Sequence, residues 1–151
     1  MRVSGFTLVE LLIALAIMAI ISAVAMPMYT TYSERTYRGE AGADLLGCGQ
    51  ALERFNSVNF TYQGSADTDA DGLGDADIGP IAGEICNPLS VRQGRYNITV
   101  NATAATFAFI ATPIGTMAGN GILTLDDAGN RGWDRNGDND TTDAGEQAWE
   151  Y

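Results

Sequence analysis

Hydrophobic residues are concentrated at the start of this chain. Between Leu11 and Met26 only Ser22 is polar. Taken as a helix over residues 6–28, this segment is about 34 Å long, which is enough to cross the hydrocarbon core of a bilayer. The pattern therefore predicts a membrane-spanning helix near the N-terminus, preceded by a short segment over residues 1–5.

Beyond that segment the apolar positions continue with a helical period. Over residues 29–55 they recur at spacings of four, three, four and three, which places them on one face of an amphipathic helix. We expect that face to carry a domain and polar residues to lie opposite. Because Pro27 removes a backbone donor, we expect the helix to kink or open locally there. The apolar face consists of Ala41, Leu45, Cys48, Leu52 and Phe55, and the polar face of Glu40, Asp44, Gln50 and Arg54.

In the second half of the chain the pattern changes to the alternation of half-buried strands. Short strands separated by turn residues predict an antiparallel meander, with one apolar face against the helix. The predicted strands are 94–100, 105–112, 121–125 and 130–133, and their apolar face consists of Tyr96, Ile98, Val100, Phe107, Phe109, Leu123 and Leu125. We therefore predict an α+β fold, in which a long helix packs on a small antiparallel sheet within residues 94–151. A polar loop region over residues 56–93 joins the two.

The charge and the residue composition of the chain argue against nucleic-acid binding and against catalysis. Its formal net charge is -11, and all 8 basic residues are arginine. Nucleic-acid phosphates would be repelled, so we expect no nucleic-acid partner. The chain has no histidine, the commonest general base. No nucleophile stands beside a base and an orienting group, and no phosphate-binding loop is present, so we expect no enzymatic activity.

Glu10 stands near the start of the apolar helix. A carboxylate inside a bilayer costs about 2.5–3.5 kcal/mol and is usually paired. Two interpretations stay open from the residues alone. Removal of residues 1–5 would expose an α-ammonium on Phe6, one helical turn from Glu10 in the same chain and able to reach Glu10 of an adjacent chain. Alternatively, Glu10 extends to the membrane surface at a helix N-terminus, where negative charge is favourable.

A first acidic loop has the spacing of a calcium site. Hard Ca²⁺ takes six to eight oxygen ligands, and a glycine at the sixth position permits the turn that points them inward. Gly72 occupies that position, but the twelfth is Ile78, so Asp77 would have to serve instead. The loop resembles the calcium repeats of thrombospondin-type and dockerin modules; the alternative is a solvated acidic loop. The candidate ligands are Asp67, Asp69, Asp71, the Leu73 carbonyl, Asp75 and Asp77.

A second acidic loop lies near the C-terminus. Asp134, Asn136, Asp138 and Asp140 alternate, with Asp143 and Glu146 close behind. Its glycine stands at the fourth position rather than the sixth, so it is a variant of the standard calcium loop. We predict Ca²⁺ as the cofactor here too, again with simple solvation as the alternative.

The chain contains two cysteines, Cys48 and Cys86. An even pair behind an export segment favours a disulfide in an oxidising compartment, with two buried free thiols as the alternative.

The N-terminal motif Gly5-Phe6-Thr7-Leu8-Val9-Glu10, followed by the apolar run and Pro27, resembles the class III leader and first helix of type IV pilins and pseudopilins. The resemblance implies that prepilin peptidase cleaves after Gly5 and that the new Phe6 amine is methylated. It also implies that Glu10 pairs with the N-terminus of a neighbouring subunit, and that Pro27 marks a stretch of helix that melts in filaments.

The resemblance implies that the protein occupies two locations in succession, first the inner membrane and then an extracellular filament. The prepilin would cross the inner membrane of a bacterium, Gram-negative by expectation, as a single-pass protein. An inner-membrane pilus assembly platform would then polymerise it into an extracellular homo-oligomeric filament. Rival functions are a type II secretion pseudopilin, and a minor or tip pilin acting in adhesion or DNA uptake. The charge of -11 disfavours DNA capture.

Overall fold

The computed structural model describes residues 6–149. A single helix, α1, runs from Leu8 to Asn59. The chain divides into two compact units, Met1–Arg35 and Thr36–Tyr151. The helix is unbroken at Pro27, so the local opening expected there is absent from the described chain. The hydroxyls of Thr30 and Thr31 donate to the Pro27 carbonyl at 2.9 and 3.1 Å, which gives that carbonyl two side-chain partners.

The second unit contains the predicted antiparallel meander, with an additional edge strand. Five strands pair in chain order, and every neighbouring pair is antiparallel. A four-residue helix precedes the second strand, and a 3₁₀ turn at Gly115–Met117 follows the third. The strands are β1 (Ile78–Pro80), β2 (Tyr96–Ala102), β3 (Phe107–Pro113), β4 (Leu123–Asp126) and β5 (Arg131–Trp133), and α2 spans Leu89–Arg92.

The core lies between one face of the sheet and the second part of α1. Along β2 and β3 buried and exposed residues alternate, as the period of two requires. All seven sheet residues predicted to face the helix are buried. On the helix Ala41, Leu45, Cys48 and Leu52 are fully buried, and Phe55 packs against them partly exposed. The predicted α+β fold is therefore confirmed.

The polar face predicted on α1 is more involved in packing than expected. Arg95, at the start of the sheet, forms an ion pair with Glu40 at 2.6 Å and stacks over the Tyr37 ring. Asp44 accepts hydrogen bonds from the amide and hydroxyl of Ser90 at 2.7 and 2.6 Å. The helical period assigned both acids to a polar face, but Ser90 of the connecting region reaches Asp44, and Arg95, just before β2, reaches Glu40.

The sequence pattern did not predict strand β1 or the last turn of α1, because both depend on neighbouring parts of the chain. Strand β1 is only Ile-Gly-Pro, a turn-like triplet, and it exists because it pairs with the edge of β2. A proline is tolerated there because an edge strand need not donate outward. The helix also extends to Asn59, past the predicted end at residue 55. Just beyond it the buried Tyr62 donates to Glu53, and burial raises the pKa of its hydroxyl.

Cys48 and Cys86 form a disulfide with a Cα–Cα distance of 5.3 Å and a sequence separation of 38. Cys48 is fully buried on the core face of α1, whereas Cys86 lies in the connecting region. The bond therefore ties the long connection between helix and sheet back onto the helix. The described chain has no free cysteine.

We expect Leu45→Ala to destabilise the second unit by about 3 kcal/mol, because it removes a fully buried side chain and leaves a cavity. Leu46→Ala is the matched control, since this leucine follows it on the helix and is only partly buried. Urea unfolding followed by tryptophan fluorescence would measure both. Equal losses for the two variants would contradict the placement of the core.

We expect the double variant Cys48→Ala/Cys86→Ala to lose about 4 kcal/mol of stability, because a cross-link over a loop of this length restricts the unfolded chain. Thermal unfolding with and without dithiothreitol would measure the loss. Reductant should lower the melting temperature of the parent chain and leave that of the double variant unchanged. A parent chain insensitive to reductant under denaturing conditions would argue against the bond.

Candidate functional site

The predicted processing site lies at the edge of the described region. Gly5 and the residues before it lie outside the described residues, so cleavage after Gly5 stays a prediction. Phe6, the residue whose amine would be exposed by that cleavage, is 91% exposed and precedes the first turn of α1. A peptidase and a methylating enzyme would need such access.

Glu10 is engaged with the start of the helix. The backbone amide and the hydroxyl of Thr7 donate to its Oε2 at 2.9 and 2.8 Å, and the Glu10 amide donates to the Thr7 hydroxyl at 3.2 Å. This reciprocal arrangement is a capping box, in which the two side chains satisfy backbone donors that the first turn leaves unpaired. Glu10 therefore stabilises the helix terminus within its own chain.

The capping box was missed by the sequence argument, although the sequence carried its signal. A threonine followed three residues later by a glutamate, immediately before an apolar run, is the standard pattern. The two interpretations of Glu10 considered only its charge. The structure adds a hydrogen-bonding role that a neutral glutamine could also fill.

The apolar part of α1 is uncovered over the whole of its first half. The most apolar stretch of the helix has a mean hydropathy of 2.7, and the described chain buries none of its residues. It is the one helix in the described chain long and apolar enough to cross a membrane. Its exposed side chains include Leu8, Leu11, Leu12, Ile13, Leu15, Ile17, Ile20, Ile21 and Val24. Such a surface requires lipid or other protein around it.

The first acidic loop brings together three of its predicted ligands. Carboxylate oxygens of Asp67, Asp69 and Asp71 lie within 4.8 Å of one another. Asp75 instead accepts from the amide and hydroxyl of Thr68, and Asp77 accepts from the Gly64 amide at 2.9 Å. The described geometry thus gives these last two carboxylates structural partners in the loop. Calcium binding by this loop stays a prediction.

The second acidic loop brings together a different set from the one predicted. Oxygens of Asp134, Asp138 and Glu146 lie within 4.8 Å of one another. Asp140 accepts from the amide and hydroxyl of Thr142 at 2.8 and 3.0 Å, and the amide of Asn136 donates to Glu146 at 3.2 Å. Glu146 was noted as close in sequence but was not among the candidate ligands. Counted from Asp134, Glu146 stands at the thirteenth position, one beyond the closing position of the standard loop, so the standard spacing did not point to it.

The two loops share one backbone design. In each, the first aspartate accepts from the amides three and five residues later: Ala70 and Gly72 for Asp67, Gly137 and Asn139 for Asp134. The amide donors all have positive φ, from 64° at Ala70 to 91° at Gly72. Asn139, with φ 70°, therefore fills the sixth position that lacks glycine, because asparagine tolerates the left-handed region.

The family described as type IV minor pilin ComP, DNA uptake sequence receptor, matches residues 27–121, and the prokaryotic N-terminal methylation motif matches residues 1–26. A curated relative, the type IV major pilin protein PilE of Neisseria gonorrhoeae, is 31% identical over 99 residues, which is 66% of this chain and 57% of that protein. The chain thus aligns with little more than half the length of that relative. No solved structure matches.

These matches agree with the architecture. The methylation motif covers the exposed apolar end of α1, and the pilin family covers the rest of the helix and the sheet through β3. Both descriptions are of type IV pilins, and neither describes an enzyme. The acidic loop at residues 134–146 lies beyond the matched region. With a methylation motif, a long apolar N-terminal helix and an antiparallel head, the chain belongs to the type IV pilin family.

Proposed function

We propose that this chain is a structural subunit of a type IV pilus that polymerises through the first half of α1. The observation that carries the proposal is the uncovered apolar helix. In its most apolar stretch no residue is buried. The head beyond residue 35 has its own core and its own disulfide. A folded head therefore needs no help from the apolar segment, which is available for the membrane and then for other copies.

Transfer from lipid to filament is not driven by the hydrophobic effect alone. Lipid tails are as apolar as the helix, so side chains on residues 8–28 gain little by exchanging lipid for other helices. Close packing and polar contacts must supply the specificity. Glu10 is the only ionisable side chain in that segment, so its pairing with a cationic N-terminus would set the register between subunits.

Cleavage after Gly5 would create that cationic partner. The Phe6 amine exists only once residues 1–5 are removed, so assembly would depend on processing by prepilin peptidase. N-methylation of the amine retains its positive charge. The chain would then pass from the inner membrane of a Gram-negative bacterium, through the pilus assembly platform, into an extracellular filament. The methylation motif and the apolar helix support this route.

The matched descriptions include one minor and one major pilin. Filaments sheared from the cell surface distinguish these roles, since a major pilin makes up most of the filament mass and a minor pilin only traces. Finding the gene beside pilus genes rather than secretion genes would separate both from a type II secretion pseudopilin.

A second candidate function is DNA capture, favoured by the matched family, which is described as a DNA uptake sequence receptor. The charges of this chain oppose it. Its net charge is -11, and two of its arginines, Arg38 and Arg95, stack on Trp133 and Tyr37 at 3.6 Å within the head. A DNA-binding stripe needs exposed basic groups on one face. We therefore place the structural function first.

Two variants separate the helix-capping role of Glu10 from the role of its charge. We expect Glu10→Gln, which keeps the capping box but removes the charge, to be processed normally and to lose filament assembly. We expect Thr7→Val, which removes the hydroxyl of the cap but keeps the charge, to retain assembly. Mass spectrometry of the N-terminus would measure processing, and immunoblots of sheared filaments would measure assembly. Normal filaments from Glu10→Gln would show that the ion pair is dispensable.

We expect no retardation of duplex DNA by the purified chain at physiological ionic strength, because phosphate repulsion opposes binding. An electrophoretic mobility assay over a salt series would test this. Retardation at low salt that weakens in Arg54→Gln/Arg92→Gln, which removes two exposed arginines, would instead favour DNA capture.

A further inference from the structure

We propose that the C-terminal acidic loop, residues 134–146, is a calcium site built around the buried carboxylate of Glu146. The site does not depend on the pilus function of the chain. It also lies outside the region matched by the pilin family.

The C-terminal acidic loop contains a buried carboxyl group. Glu146 is only 3% exposed, and its Oε2 has no hydrogen-bond partner among the described residues. Its Oε1 accepts from the amides of Arg135 and Asn136 at 2.9 and 3.2 Å, which fixes the orientation of the group. A buried carboxylate oxygen without a partner is costly and rare in folded proteins. A cation at Oε2 would remove that cost.

The surrounding groups form a suitable set of donors. One carboxylate oxygen each from Asp134, Asp138 and Glu146 lies within 4.8 Å of the others. Two ligands on opposite sides of a Ca²⁺ ion, at bond lengths of about 2.4 Å, are about 4.8 Å apart, so these separations lie within the range of oxygens that share one ion. Asp134 is itself 2% exposed. The donors are all oxygen, and the chain has no histidine, which favours a hard ion over zinc or copper.

The first acidic loop is an internal comparison. It has the same spacing and the same backbone turns, and Asp67, Asp69 and Asp71 also lie within 4.8 Å of one another. However, only Asp67 of these three is buried, whereas both Asp134 and Glu146 are buried in the second loop. Twelve residues after Asp67 stands Gly79, where the second loop has Glu146. The first loop therefore lacks the buried acid that closes the second, so the calcium site belongs to the second.

Ion binding at Glu146 would hold the C-terminal segment on the sheet. The Trp133 amide in β5 donates to the Glu146 carbonyl at 2.8 Å, and the Trp149 indole donates to the Gly132 carbonyl at 2.9 Å. The segment after β5 thus folds back on that edge strand. A cation that joins Glu146 to Asp134 and Asp138 would close this loop without a covalent bond.

The test uses the full chain in detergent, stripped with EGTA and then titrated with CaCl₂. We expect Ca²⁺ to raise the melting temperature by about 5 °C or more at saturation. Glu146→Gln should abolish that rise and weaken calcium binding at least tenfold in isothermal titration calorimetry. In EGTA the same variant should melt at or above the temperature of the parent chain, because it removes a buried charge and can still accept from Arg135 and Asn136.

Asp69→Asn is the matched control in the first loop and should keep the full calcium response. Three results would overturn the proposal: a parent chain whose melting temperature ignores Ca²⁺, a Glu146→Gln variant that responds like the parent, or an Asp69→Asn variant that loses the response. The behaviour of Glu146→Gln in EGTA distinguishes loss of a ligand from a failure to fold.

Discussion

The first half of α1 exposes apolar side chains around its whole circumference, and no described part of the chain covers its most apolar window. A surface of this kind is not stable in water, so lipid or other protein must cover it. The rest of the design follows from this requirement. The head must fold without the segment, the segment must begin cleanly at its N-terminus, and any specificity between copies must come from its few polar groups.

The helix α1 begins cleanly because Thr7 and Glu10 cap its first turn. In an apolar environment an unpaired backbone amide is more costly than in water, so a capping box has greater value here than on a soluble helix. The same carboxylate is the only ionisable side chain of residues 8–28. One residue thereby combines a local structural role with the proposed role in pairing between subunits.

Within the head, the sheet is held on the second half of α1 by an apolar core and by contacts on the flanks of the helix. The fully buried Leu45 and Leu52 meet the sheet face, the Cys48–Cys86 bond ties down the connection, and Arg95 joins Glu40. The acidic loops add negative charge at the surface of this unit, and they share a backbone design without sharing a closing ligand. Burial of a single later residue, Glu146, distinguishes the second loop from the first.

Much of this architecture was encoded locally and could be predicted from the sequence. The period of the apolar positions determined the helix, the alternation in residues 94–133 determined four of the five strands, and the pairing of Cys48 with Cys86 followed from count and compartment. Tertiary structure alone decided the rest. Strand β1 exists only beside β2, and Glu40 and Asp44 found partners because loops distant in sequence reach them. Glu146 became buried because the chain after β5 folds back on the sheet. Local patterns report which face of an element is apolar, whereas burial of a polar group depends on which distant segment covers it.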